Sequence, residues 1–228
     1  MQLLLHLLLQ FRESCSQIEK IDNSRKEEIR VELECHVFVR NYQFINVEVL
    51  SEDPILFIYR GFAPAGYVED FLEDVHVRRL TEQVVVNDGE ENVTELSEVR
   101  RANGTWIPHT ASYGAARMYE RAVALLPFIN FESSEPWQVL SYLPGGHYAP
   151  HNDYIEFASP AHYDRWTKRY GNRMATLFLL CKESNSLHGG CPVYEGEKIA
   201  AVLWIRMKGQ NMFRSASNQL SLRELMEL

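Results

Sequence analysis

The sequence predicts an α+β chain, and three observations carry that expectation. Short apolar segments with period-two alternation recur along it, as in Val31-Glu-Leu-Glu-Cys35, Ile45-Asn-Val-Glu-Val49 and Trp137-Gln-Val-Leu-Ser-Tyr142; this is the pattern of strands with two unlike faces. Two stretches between them carry helical spacing instead. Of the 228 residues, 46% are hydrophobic and 11% aromatic, enough for a sizeable core and against global disorder. Several short strands following a helical lead-in argue for a jelly-roll-like core, a double-stranded β-helix with packed helices.

The first ten residues, Met1–Gln10, form an apolar run the length of a signal-peptide core without a basic start. They read either as a secretory signal region or as an N-terminal helix. Residues 11–30 are densely charged, an exposed helix or a tether. Val31–Arg40 and Tyr42–Leu50 are expected strands, broken from the next by Asp53-Pro54, and Ile55–Tyr59 is a short apolar strand. Pro64 opens a helix whose stripe is Val68, Phe71, Leu72 and Val75. A strand begins at Val84–Val86, followed by a turn at Asp88–Asn92. Thr110 is the expected cap of a helix over 111–126, with Tyr113, Tyr119, Ala122, Val123 and Leu126 on its inner face. Trp137–Leu143 is a strand, 154–170 a long loop, and Arg173–Cys181 a buried strand. His188–Val193 and Lys198–Ile205 are the last two strands, and 207–228 is a helical or frayed tail.

The net charge of −8 offers no basic field, which makes nucleic acid an improbable partner. No apolar run reaches the roughly 18 residues of a transmembrane helix. Four cysteines, at 15, 35, 181 and 191, lack zinc-like spacing; Cys15 and Cys35 are a candidate bridge in an oxidising compartment. The sequons Asn92-Val-Thr and Asn103-Gly-Thr have meaning only in a secreted chain.

The chemistry centres on Tyr142-Leu-Pro-Gly-Gly-His-Tyr-Ala-Pro-His-Asn-Asp153. Residues two apart on an extended strand point to one side, so His151 and Asp153 supply two of the three ligands of a 2-His-1-carboxylate triad, the arrangement that holds Fe(II) with open positions. His188 is the next well-placed His and the candidate third ligand. Lys198 follows ten residues on, with Trp204 beyond. A fixed ammonium suits a dicarboxylate chelated to the metal by its other end, and Tyr142 and Thr176 are candidate hydroxyl partners for that distal carboxylate. The plain alternatives are a surface turn for His151 and Asp153, a loop His for His188, a solvated Lys198, and packing for Tyr142 and Thr176. His147 and His162 have no ligand spacing.

These blocks resemble the prolyl 4-hydroxylases: Tyr142-x-x-Gly-Gly-x-Tyr-x-x-His151-x-Asp153, Gly171-Asn-Arg-x-Ala-Thr176, and His188-x-x-Cys-Pro-Val-x-x-Gly-x-Lys198 with Trp204. The likeness is to the collagen-type alpha subunits and their small animal and plant counterparts, and Arg101-x-x-Gly-Thr-Trp106 resembles a further family segment. It spans roughly residues 54–206, which divides the chain into an N-terminal segment (1–53), a dioxygenase domain (54–206) and a C-terminal tail (207–228). The resemblance implies an Fe(II)- and 2-oxoglutarate-dependent dioxygenase that uses O2, with L-ascorbate keeping the iron reduced. It implies His151, Asp153 and His188 as iron ligands, Lys198 with Tyr142 and Thr176 on the 2-oxoglutarate carboxylate, and a weaker substrate role for Arg101 and Trp106. It further implies a proline-containing or collagen-like substrate, a disulfide-isomerase-type subunit or homo-oligomeric partner, and residence in the endoplasmic reticulum lumen or outside the cell.

One departure matters. Family members place two further core strands between the Asn-Arg-x-Ala-Thr strand and the distal His, whereas here only Lys182–Leu187 intervene. The expectation is an incomplete jelly roll with opened edges, and a second reading as a catalytically impaired isoform or pseudoenzyme. A dioxygenase for a free amino acid or lipid is a third.

Overall fold

The computed structural model describes residues 34–40, 42–52, 55–83, 100–149, 151–182 and 192–210. The described residues fall into two compact units, one comprising those up to residue 64 and the other those from residue 65 onward.

The first unit contains an antiparallel sheet of β1 (Glu34–Arg40), β2 (Gln43–Glu52) and β3 (Ile55–Arg60), in that order. Alternation sets its faces: Ile45 and Val47 are buried, while Phe44 and Asn46, which alternate with them, are exposed. Arg60 holds Glu48 across the β2–β3 pair at 2.9 Å. Because Ile55–Arg60 is hydrogen-bonded to β2, from Glu52↔Ile55 to Asn46↔Arg60, it sits with the first unit. Residues 207–210 belong to the second unit.

The second unit begins with α1 (Ala65–His76). Phe71 and Val75 of the expected stripe are fully buried, and the Phe71 ring meets Trp137 edge-on at 5.8 Å. The second helix, α2, covers Tyr113–Leu125 and is capped by Ser112, not Thr110; the Ser112 hydroxyl accepts the Ala115 N–H at 3.4 Å. Its inner face is Gly114, Ala115, Met118, Ala122 and Leu125. Tyr113 and Val123, expected inside, are 68% and 42% exposed, because the two helices approach through small residues. A Cβ on Gly114 would stand 2.4 Å from the Asp70 carbonyl oxygen, and Asp74 accepts the Ala115 N–H at 3.1 Å.

The sheets follow. A five-stranded antiparallel sheet runs β4 (Thr81–Glu82), β6 (Asn103–Ile107), β7 (Trp137–Tyr142), β10 (Lys198–Arg206), β9 (Arg173–Lys182), and a two-stranded one pairs β5 (Arg100–Arg101) with β8 (His147–Tyr148). Both central strands, β7 and β10, are buried along their whole length. This is the mixed, antiparallel α+β architecture expected.

Two expectations give way here. The stretch 154–170 is not all loop: Pro160–His162 is a 3₁₀ turn and α3 spans Arg165–Tyr170. The Asp164 carboxylate accepts the Thr167 N–H at 2.6 Å, and Gly171 ends the helix at φ 74°. Nor is β9 a buried strand. It lies last in the sheet order, and Thr176 and Phe178 are exposed, Phe178 to 46%. Apolar composition alone suggested burial; a strand with one hydrogen-bonded neighbour among the described residues does not reach it. Cys15, Asp53-Pro54, Val84–Val86, Asp88–Asn92, Cys191 and residues 211–228 lie outside the described residues. Among those described, no helix is long and apolar enough to cross a membrane.

Candidate metal and co-substrate site

After β7 the chain reverses through Leu143–Gly146. Gly145 takes φ 82°, and the Gly146 N–H bonds back to Leu143 O at 2.7 Å. Val193, five residues after His188, exchanges two backbone hydrogen bonds with this turn: Gly145 N–H to Val193 O at 2.7 Å, and Val193 N–H to Gly146 O at 3.0 Å. Short β8 follows, and then His151 and Asp153, which lie in the loop beyond β8 rather than on a strand.

The two side chains nevertheless converge. His151 Nδ1 lies 2.9 Å from the Ala149 carbonyl oxygen. A carbonyl only accepts, so Nδ1 carries a ring proton and Nε2 is the nitrogen turned toward Asp153. Nε2 stands 3.5 Å from Asp153 Oδ1. Donors each about 2.1 Å from a common metal lie at most about 4.2 Å apart, so this pair fits two positions of one coordination shell. Tyr148 stacks on the His151 ring at 3.6 Å and 17°, and the Arg100 guanidinium lies 4.9 Å from the Tyr148 ring centre. Burial pushes the Asp153 carboxyl up, but hydrogen bonding from His151 and Thr176 and the nearby Trp204 indole outweigh it and hold it below the ordinary carboxylate value. The carboxylate is thus ionised at neutral pH. His188 lies outside the described residues, and among those described no group of three His, Cys, Asp or Glu gathers to hold a metal.

Lys198 and Tyr142 are neighbours. They are register partners on β10 and β7, both are buried, and the ammonium lies 5.6 Å from the phenol ring centre. Burial lowers the Lys198 pKa and raises that of Tyr142. Thr176 is elsewhere. Its register partner is Trp204, six residues along β10 from Lys198, or about 20 Å at strand rise. Its hydroxyl donates to Asp153 Oδ2 at 2.6 Å. The expectation that Thr176 shares a carboxylate with Lys198 is corrected accordingly: its strand is paired so that it faces the loop holding Asp153.

Around this core lies a buried ionic group that sequence reading did not find. Glu135 accepts Arg173 through Nε and Nη2 at 2.7 and 2.9 Å and Arg206 Nη2 at 2.7 Å. Arg173 lies 3.5 Å over the Trp204 ring, whose buried indole nitrogen makes no hydrogen bond of good geometry. Asn172 clamps the loop just past Asp153, accepting the Ile155 N–H at 3.0 Å and donating to Ile155 O at 2.7 Å. Trp106 is 43% exposed and lies 5.7 Å from Trp204, whereas Arg101 is exposed beside Gly145, with Nη1 3.4 Å from where a Cβ would stand. The only sequence signals for these residues were the Gly-Asn-Arg block and the position of Trp204.

No protein-family model matches the chain. Among curated proteins it is 28% identical over 223 residues to probable prolyl 4-hydroxylase 7 of Arabidopsis thaliana, covering 77% of this chain and 69% of that protein. It is 26% identical over 217 residues to the human prolyl 4-hydroxylase subunit alpha-3, covering 77% of this chain but 38% of that subunit. Among solved structures, the viral collagen prolyl hydroxylase of Paramecium Bursaria Chlorella virus-1, in its 2OG complex, is similar with a TM-score of 0.44 at 19% identity, covering 64% of this chain and 92% of that one. Over about three quarters of its length the chain is thus similar to prolyl 4-hydroxylases. An alignment 223 positions long that uses 77% of 228 residues also contains positions that the relative fills and this chain does not.

Proposed function

We propose that this chain is built for Fe(II)- and 2-oxoglutarate-dependent hydroxylation of prolyl residues in peptides or collagen-like proteins. The observation that carries the reading is the convergence of His151 Nε2 and Asp153 Oδ1 to 3.5 Å, in a chain whose curated relatives are prolyl 4-hydroxylases. His151, Asp153 and His188 would hold the iron, which when bound supplies activation of O2 coupled to decarboxylation of 2-oxoglutarate. The chain's own residues do the rest. The Lys198 ammonium, beside the Tyr142 phenol in a buried setting, takes the distal carboxylate of 2-oxoglutarate; a low dielectric strengthens that pairing. Exposed Trp106 offers an aromatic face to a proline-containing chain, with Arg101 at the turn. L-ascorbate as reductant, a disulfide-isomerase-type or homo-oligomeric partner, and residence in the endoplasmic reticulum lumen or outside the cell are parts of the same proposal.

A second reading, a catalytically impaired isoform, is favoured by one observation: β9 lies at the sheet border with Phe178 46% exposed, where further strands are expected. One experiment separates the two. The full chain is incubated with Fe(II), ascorbate, 2-oxoglutarate and a proline-rich peptide, and succinate and hydroxyproline are measured against His151→Ala and Asp153→Ala. Formation above those backgrounds supports the enzyme. Metal binding that depends on both residues, without product, supports the impaired isoform. Metal binding indifferent to both overturns the site.

A further inference from the structure

We propose that Thr176 is a positioning residue that makes Asp153 a single-oxygen metal ligand; this rests on the metal site proposed above. The two carboxylate oxygens of Asp153 have different surroundings. Oδ2 accepts the Thr176 hydroxyl at 2.6 Å, within the range of hydrogen bonds to a charged acceptor. Oδ1 faces His151 Nε2 at 3.5 Å. The hydroxyl draws electron density from Oδ2 and fixes the plane of the carboxylate, so the oxygen left as donor is the one beside the imidazole.

The backbone supports this division. β9 and the residue before it hold the 153–155 loop at three points within five residues. Asn172 brackets Ile155, Arg173 Nη1 reaches Asp153 O at 3.5 Å, and Thr176 takes Oδ2. Arg173, between them, is fixed by Glu135. Thr176 is itself set by its register with Trp204 on β10. A carboxylate free to rotate would offer both oxygens to a metal and would occupy a position that a chelating co-substrate needs. Hydrogen-bond partners of ligating side chains typically affect metal affinity by about 10–100-fold.

The test is a Co(II) titration of the full chain, followed by calorimetry and by the visible absorption of the bound ion. Thr176→Val keeps the shape of the side chain and removes the donor; Thr176→Ser keeps the donor. We expect Thr176→Val to weaken Co(II) binding about tenfold and to alter its visible band, with Thr176→Ser close to the parent and the metal-free melting temperature unchanged in both. The inference is overturned if Thr176→Val binds and absorbs like the parent while Asp153→Ala abolishes binding. It is also overturned if Thr176→Ser loses affinity equally. If Asp153→Ala itself leaves Co(II) binding unchanged, the metal-site reading fails, and this inference fails with it.

Discussion

Glu135 offers the sharpest energetic test of how the site is held. Its carboxylate, 7% exposed, accepts three N–H groups from two arginines, and the Arg206 side chain is 3% exposed. In Glu135→Ala the Arg206 guanidinium keeps only neutral acceptors, Thr167 Oγ1 at 3.3 Å and Gly171 O at 3.0 Å. Burial already lowers its pKa, and Glu135 is the main opposing influence. Removing one partner of a buried pair costs about 3–5 kcal/mol. Arg173, more exposed at 18%, recovers part of its loss from water, so Arg206 accounts for most of the figure. With about 2–4 °C per kcal/mol for a chain of this length, the melting temperature should fall by about 6–20 °C. Urea unfolding followed by tryptophan fluorescence measures the loss. A double variant, Glu135→Met with Arg206→Met, should regain most of it, because the uncompensated charge goes with its partner. A loss below about 1 kcal/mol for Glu135→Ala, or a double variant no better than the single one, would refute the reasoning.

Three further outcomes follow from other contacts. Gly114→Ala should destabilise by more than the roughly 1 kcal/mol that helix propensity gains, because its Cβ would meet the Asp70 carbonyl at 2.4 Å; a stabilised variant in thermal melts would contradict the close packing of α1 on α2. His109, stacked on Tyr119 at 4.1 Å with Nε2 2.9 Å from Glu135 O, has its pKa pushed below 6.5 by burial, against a smaller upward pull from that hydrogen bond. The unfolded chain therefore binds the proton more readily, and the contribution is full above about pH 6.5 and lost as pH falls below it; His109→Gln should show a flatter stability profile there, and an unchanged slope would be the contrary result. Lys198→Met should leave Co(II) affinity within about twofold while removing most of the added thermal stabilisation from 2-oxoglutarate; equal stabilisation in both proteins would show that the ammonium does not hold the co-substrate.

Which parts of this molecule a sequence displays depends on how locally each is determined. The α1 stripe was legible at Phe71 and Val75 because one spacing fits one face. Tyr113 and Val123 misled for the opposite reason: α2 meets its neighbour through Gly114 and Ala115, and small residues carry no hydrophobic signal. The helix at Arg165–Tyr170 was hidden by its polar, aromatic composition, although Asp164 and Gly171 mark both of its ends. His151 and Asp153 were readable because they are two residues apart. The Glu135 network joins residues 38 positions apart (Glu135 to Arg173) and further to Arg206, and nothing local announces it. Thr176 was expected beside Lys198 and instead lies beside Asp153, because which end of β10 it faces is fixed by strand register.

The place of β9 in its sheet has a consequence for timescale. A strand with one hydrogen-bonded neighbour, as β9 has among the described residues, opens by local fluctuation far more often than the whole unit unfolds, and β9 is the strand that presents Thr176 to Asp153. The lifetime of the carboxylate's arrangement is then bounded by how long β9 stays zipped to β10, not by global stability. Amide hydrogen exchange along Arg173–Lys182 should slow when a divalent ion binds, because the ion and the zipped strand favour each other through the same carboxylate. By reciprocity, anything that seals the outer flank of β9 tightens the grip on the ion without touching it.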